Sequence, residues 1–187
     1  MKTTDDLKQE HRLIEPVLSA LERSIQSLGR GSSLDRDFGE KLLDFLRVFV
    51  DKCHHGKEER HLFKRLEERG IPRQSGLVLE LLREHGVGRA HVRALAGSWP
   101  GAADGERSAS DTFAEHARAY VELLHVHIDK EDTRLFPMAD RTLSSVDDAE
   151  LMEQFRRLER EEIGEAVHET YHQWVQALAQ NGQAPSA

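Results

Sequence analysis

Apolar residues return along most of this chain in alternating steps of three and four, the spacing that lines one face of an α-helix. The first run is Leu7, His11, Ile14, Leu18, Leu21, Ile25 and Leu28. It predicts a helix capped by Thr4 or Asp5 and stopped by Gly29-Arg30-Gly31-Ser32-Ser33. Pro16 costs the Arg12 carbonyl its helical partner and predicts a bend just beyond His11. A second helix is predicted from about Leu34 to Arg69, with Leu43, Leu46, Val50 and Cys53 or His54 facing inward and Gly70 and Pro72 ending it. Past Glu58 the pattern loses regularity, and Leu62 and Phe63 have no assigned face. The third run, Val78, Leu81, His85, Gly88, Val92 and Leu95, predicts a helix from Gln74 or Ser75 that fades after Ala96-Gly97-Ser98. Trp99 to Arg107 reads as a loop by composition.

A fourth helix starts at Ser108 or Ser110 and carries Phe113, Ala117, Tyr120, Leu124, His127, Glu131 and Leu135; Pro137 ends or kinks it, and Met138 to Leu143 form a further turn. A fifth, from about Asp147 to Gln180, carries Leu151, Phe155, Leu158, Ile163, Val167, Tyr171, Trp174 and Leu178. No stretch reads as a strand. The predicted class is all-α: an up-down four-helix bundle over residues 1–143, an additional C-terminal helix over 144–180 packed on it, and a disordered tail over 181–187.

Composition narrows the function. A formal charge of −8 gives a nucleic-acid partner little electrostatic support. No apolar run is long enough to span a bilayer, and the first residues lack the apolar core of a secretory signal. A single Cys excludes an internal disulfide and fits a reducing compartment, so the expected location is the cytoplasm. Eleven His in 187 residues is an excess that needs a chemical reason.

The reason lies in a repeat. The segment from His54 to Phe63 returns, without a gap, as His127 to Phe136, sharing His, Lys, Glu, Leu and Phe. Each copy places a Glu four residues after its His, one helical turn away on the same face. His11 and His85 occupy apolar positions of the first and third seams, so a helix pair is used twice. Matched for depth along the helices, the four seams deliver His11, His54, Glu58, His85, His127 and Glu131 to one layer. Such groups are costly to bury unless they are paired or bind metal. Four imidazoles and two carboxylates suit two first-row metal ions with positions left for a small ligand.

The segments Cys53-His54-His55-Gly56-Lys57-Glu58-Glu59 and Lys130-Glu131-Asp132-x-x-Leu135-Phe136-Pro137 resemble the hallmark sequences of the hemerythrin-like family that contains the HHE cation-binding domain. The resemblance covers roughly residues 5 to 140, and the fifth helix is similar to an extension in some bacterial members. It implies two iron ions in an oxo- or hydroxo-bridged, non-haem di-iron centre held by those six residues, with zinc or manganese as substitutes. It also implies a small partner, O₂, NO or peroxide, while charge and hydropathy argue against nucleic acid and membrane. The functional expectation is a protein that binds or reacts with such a ligand; the alternative is a sensor or regulatory module for oxygen, redox or iron status that does not turn over. Against the oxygen-carrying members, the residue four after His85 is Arg89, which leaves one corner without its imidazole and favours redox chemistry or sensing over carriage.

Several residues stay open at this stage. His55 and Glu59 form a rival pair one position along, although the repeat favours His54 and Glu58. Glu10 and Glu15 can support the ligands or be solvated. Tyr120, two turns before His127, can face the site or be an ordinary core tyrosine. His168 and His172, one turn apart on the fifth helix, can fill the open corner, bind a second metal or do neither. Cys53 is expected to be an inert buried thiol.

Overall fold

The computed structural model describes residues 1–28 and 35–181, and every element in them is helical. Six helices follow one another: α1 (Lys2–Leu28), α2 (residues 36–68), α3 (Gly76–Ala103), α4 (residues 107–142), α5 (residues 145–163) and α6 (Glu165–Asn181). The first four form the predicted bundle. α5 packs on α1 and α2, and α6 lies along α1. The predicted breaker at Gly29 to Ser33 and the tail beyond Asn181 lie outside the described residues.

The bundle has two apolar clusters with a polar layer between them. Along α1, Leu7 belongs to one cluster and Ile14 to the other; on α3 the pair is Leu81 and Val92. On α2 it is Leu62 and Val50, and on α4 Leu135 and Leu124. His11, His54 with Glu58, His85, and His127 with Glu131 fall between these pairs, so the predicted depth match is the structure's own arrangement.

α2 and α4 depart from ordinary α-helix at the repeat. Leu46–His55, Glu58–Leu62 and Glu131–Leu135 are π-helical, with carbonyls paired five residues on. The spacing explains why. His54, Glu58, Leu62 and Leu66 are all buried, as are His127, Glu131, Leu135 and Ala139, each set in successive steps of four. A step of four overshoots a 3.6-residue turn by about 40°, so three in a row would rotate the last residue off the inner face. The wider turns absorb the drift. They also bring Leu62 and Phe63, unassigned from the sequence, into the core with no exposure.

Three expected boundaries are corrected. α3 runs through Trp99-Pro100-Gly101 to Ala103, because Trp99 is buried against Phe113 and over Gly39, where a Cβ would lie 2.0 Å from the indole. The predicted loop shrinks to Asp104, Gly105 and Glu106. Pro137 neither ends nor interrupts α4, since it follows a π turn where the regular hydrogen-bond ladder is already broken. The single fifth helix is two: Gly164, at φ +89°, separates α5 from α6 and shifts the register, so Val167 is exposed while Tyr171, Val175 and Leu178 are buried. α1 continues through Pro16.

α5 is anchored at its start. Ser144 and Asp147 form a reciprocal capping box, and the Asp147 carboxylate also accepts from Arg65 and Arg69 of α2. Those bonds hold it well below the usual carboxylate range, the Arg69 bond contributing most and the Ser144 side chain and amide next.

Candidate metal centre

The six predicted residues meet in the polar layer, all essentially without exposure. The ring nitrogens pair up: His11 Nε2 is 3.1 Å from His54 Nε2, and His85 Nε2 is 3.0 Å from His127 Nε2. The carboxylates lie between the pairs. Glu131 Oε2 is 3.1 Å from His11 Nε2, and its Oε1 is 3.1 Å from His127 Nε2 and 3.9 Å from His85 Nε2. Glu58 Oε2 is 3.4 Å from His85 Nε2 and 3.9 Å from His54 Nε2. Two overlapping donor sets result, His11, His54, Glu58 and Glu131 on one side and Glu58, His85, His127 and Glu131 on the other.

These donors fit metal ions better than they fit one another. Both oxygens of Glu58 and both of Glu131 are buried without a hydrogen bond, an expensive state for four carboxylate oxygens. Metal–nitrogen bonds of about 2.1 Å meeting near a right angle put neighbouring donors about 3.0 Å apart, which is the separation of each imidazole pair. A carboxylate whose two oxygens face different imidazole pairs is placed to be shared by two ions.

The outward ring nitrogens are all engaged. His11 Nδ1 is 2.9 Å from Asp132, His54 Nδ1 2.9 Å from Glu10, His85 Nδ1 2.8 Å from Glu59, and His127 Nδ1 2.9 Å from Glu84. A carboxylate on the far nitrogen orients the ring and raises its basicity as a ligand. Cations stand behind three of these carboxylates: Lys57 at Glu10, Arg89 at Glu59, and Lys130 at Glu84. Lys57 is wholly buried, its ammonium also 2.9 Å from Asp6 and 2.5 Å from Glu159 of α5.

The titration directions describe a layer that draws positive charge. Burial presses the imidazolium of His11 down, but the hydrogen bond to Asp132 and the adjacent charge of Glu131 outweigh it and raise His11 to about 9. At His127 burial is likewise overcome, by the adjacent charge of Glu131 and then by Glu84, to about 10. Burial would raise Glu131, yet His127 and His11 hold it well below the carboxylate range. Protons answer this demand in part; metal cations answer it with ligands attached, and their binding would release those protons.

The other open residues divide. His55 and Glu59 are not rivals of His54 and Glu58, because both are at the site in different capacities. Glu59 supports His85, while His55 is buried with a ligand atom within 4.8 Å of those of His85 and His127. It stands at the corner that Arg89 leaves without an imidazole. Glu10 supports His54, but Glu15 is exposed and lines a surface groove. Tyr120 is buried beside His55 and lines the same cavity. His168 does not fill the corner. It lies among Glu10, Cys53 and Glu159, its Nε2 3.8 Å from Glu10, around a position that the Lys57 ammonium already serves. His172 lies against His168, their rings tilted by 49°, and is part of no donor set among the described residues. Cys53 is buried, and burial followed by the charge of Glu10 raises its thiol pKa.

The supporting role of Asp132 was not read from the sequence, although a signal was present. Glu10 and Glu84 each precede a seam His, and Glu59 and Asp132 each follow a repeat Glu.

Comparison with known proteins agrees with this arrangement. The hemerythrin HHE cation binding domain matches residues 2–139. Uncharacterized proteins of Mycobacterium tuberculosis and Mycobacterium bovis are 26% identical over 162 residues, 87% of this chain. The match spans 63% of the length of those relatives. No solved structure matches the chain significantly. Among the described residues no helix is long and apolar enough to cross a membrane.

Proposed function

Since the chain belongs to the hemerythrin HHE cation-binding family, we propose that its polar layer holds two iron ions and binds or reacts with O₂, NO or peroxide in the cytoplasm. His11 and His54 would hold one ion and His85 and His127 the other, with Glu58 and Glu131 shared. The observation that carries this reading is the set of four buried carboxylate oxygens without hydrogen bonds, each carboxylate facing both imidazole pairs. Iron so bound supplies one-electron chemistry toward small oxidants. The chain's own part is to keep imidazole nitrogens aimed inward through Asp132, Glu10, Glu59 and Glu84 and to keep water out with an apolar cluster on each side. Anaerobic reconstitution with iron(II), followed by exposure to each gas or to peroxide, tests it: iron uptake with a visible-absorption change is expected. Uptake of zinc but not iron would refute it.

One contact favours the sensor reading as a second possibility. Glu10, which orients His54, shares the Lys57 ammonium with Glu159 at the end of α5, next to the Gly164 break. A change at His54 would thereby be felt by α5 and α6. If the protein is a sensor, amide exchange in α5 and α6 should differ between iron-loaded and iron-free protein; if it only reacts with its ligand, exchange there should be the same.

A further inference from the structure

His55 has no part in the two-ion reading just given, on which its role nevertheless rests. Its ring stacks on His85, centroids 3.8 Å apart and planes inclined by 16°. The lone pair of an imidazole nitrogen lies in the ring plane, and planes so inclined converge far beyond bonding distance. From these positions His55 and His85 cannot ligate one ion together, although their ligand atoms and that of His127 are mutually within 4.8 Å. One of the two has to move.

His85 is the fixed member, with Nδ1 2.8 Å from Glu59 and Nε2 3.0 Å from His127 Nε2. The hold on His55 is looser, a single 3.5 Å contact from Nδ1 to Asp51. Beside it is a cavity of about 100 Å³, lined by Asp51, Arg89 and Tyr120, which gives the ring somewhere to go. That volume suits a ligand of a few atoms and is well below the ~300 Å³ of ordinary organic-ligand pockets. Arg89, paired with Asp51 and Glu59, forms one wall, and Arg47 and Arg93 add positive charge at the exposed rim. The matching position in the other half is Ile128, where the neighbouring groove is lined by Glu15, Asp129 and Asp132 and would repel an anion.

We propose that His55 is an exchangeable arm at the His85–His127 metal position, swinging on to complete the ligand set and off to admit a small anion from the arginine-rimmed cavity.

The test uses the full-length iron-loaded protein with azide as the probe, comparing wild type with His55→Ala and His55→Gln. The second variant keeps most of the side-chain volume, should the first fold poorly. Iron content is expected to match wild type, because the other six ligands remain. Azide association is expected to accelerate by about tenfold or more, since a conformational step that limits binding has been removed. Added imidazole, refilling the cavity of the Ala variant, should slow it again. Unchanged azide rates in both variants would overturn the arm and leave the two-ion reading standing. Loss of iron in both would make His55 a fixed ligand, also against the proposal. Failure of wild type to take up iron at all would overturn both.

Discussion

The two halves of the metal layer are near-copies in their interior and differ sharply at their edges. In one, Glu10 supports His54 and Asp132 supports His11; in the other, Glu84 supports His127 and Glu59 supports His85. The imidazole pairs cross at 63° and 64°, and Phe136 stacks on His11 as Phe63 does on His85. What differs is the surroundings. The first half is covered by α5 and α6, and its cation, Lys57, is wholly buried among three carboxylates. The second has the partly exposed Lys130 in the equivalent place and a cavity beside His55. The interiors of the two halves match, whereas their edges leave one side covered by α5 and α6 and the other open to a cavity.

The largest expected effect breaks the sharing between halves. Glu131→Ala should remove nearly all bound iron, whereas His54→Ala and His127→Ala should each cost about one ion, by metal analysis of desalted protein. Retention of half the iron in Glu131→Ala would show that the carboxylate serves one position only.

The two lysines come next. Lys57→Met leaves Asp6, Glu10 and Glu159 facing one another without their cation, a loss of about 3–5 kcal/mol. Lys130→Met, at a partly solvated pair, should cost no more than about 1 kcal/mol. Denaturant unfolding of the two variants reads the difference, and equal costs would mean that the C-terminal cover does not bury the first half.

A finer probe is the pair of supporting carboxylates. Glu10→Ala and Glu84→Ala should each weaken metal affinity by about 10–100-fold, measured by competition with a chelator. Glu10→Ala should also lower the stability of the iron-free protein more than Glu84→Ala does, because it strips the wholly buried Lys57 of a partner.

The smallest effect concerns the cover. Asp147→Asn, which weakens the α5 cap and its bonds to Arg65 and Arg69, should lower Tm at neutral pH by about 2–4 °C. The carboxyl is depressed in the folded protein, so its contribution is fully present above the unfolded value of about 3.9 and is lost as pH falls below it. The two melting curves should therefore converge in acid. A gap that persists at low pH would assign the effect to something other than the charge.

How far the sequence discloses this site depends on geometry. His11 and His85 were legible because they interrupt apolar seams at ordinary helical spacing, and the repeat around His54 and His127 named the rest. His55 was not. An α-helix turns neighbouring residues about 100° apart, which made His54 and His55 alternatives, and only the π-helical stretch allows both to be buried at the site. The same stretch hid Leu62 and Phe63, although the unbroken steps of four from His54 to Leu66 were its trace. His168 stayed open for the opposite reason, because its i, i+4 spacing to His172 says nothing of which face meets the bundle after the break at Gly164. Trp99 to Ala103 read as loop by composition, yet the indole over Gly39 keeps the helix going.

Mössbauer spectroscopy of protein reconstituted with iron-57, recorded with and without an applied field, tests the central claim most directly. Two ions sharing Glu58 and Glu131 should give a magnetically coupled pair that accounts for nearly all the iron in the oxidised protein. Isolated, uncoupled iron, or a single ion per chain, would contradict it.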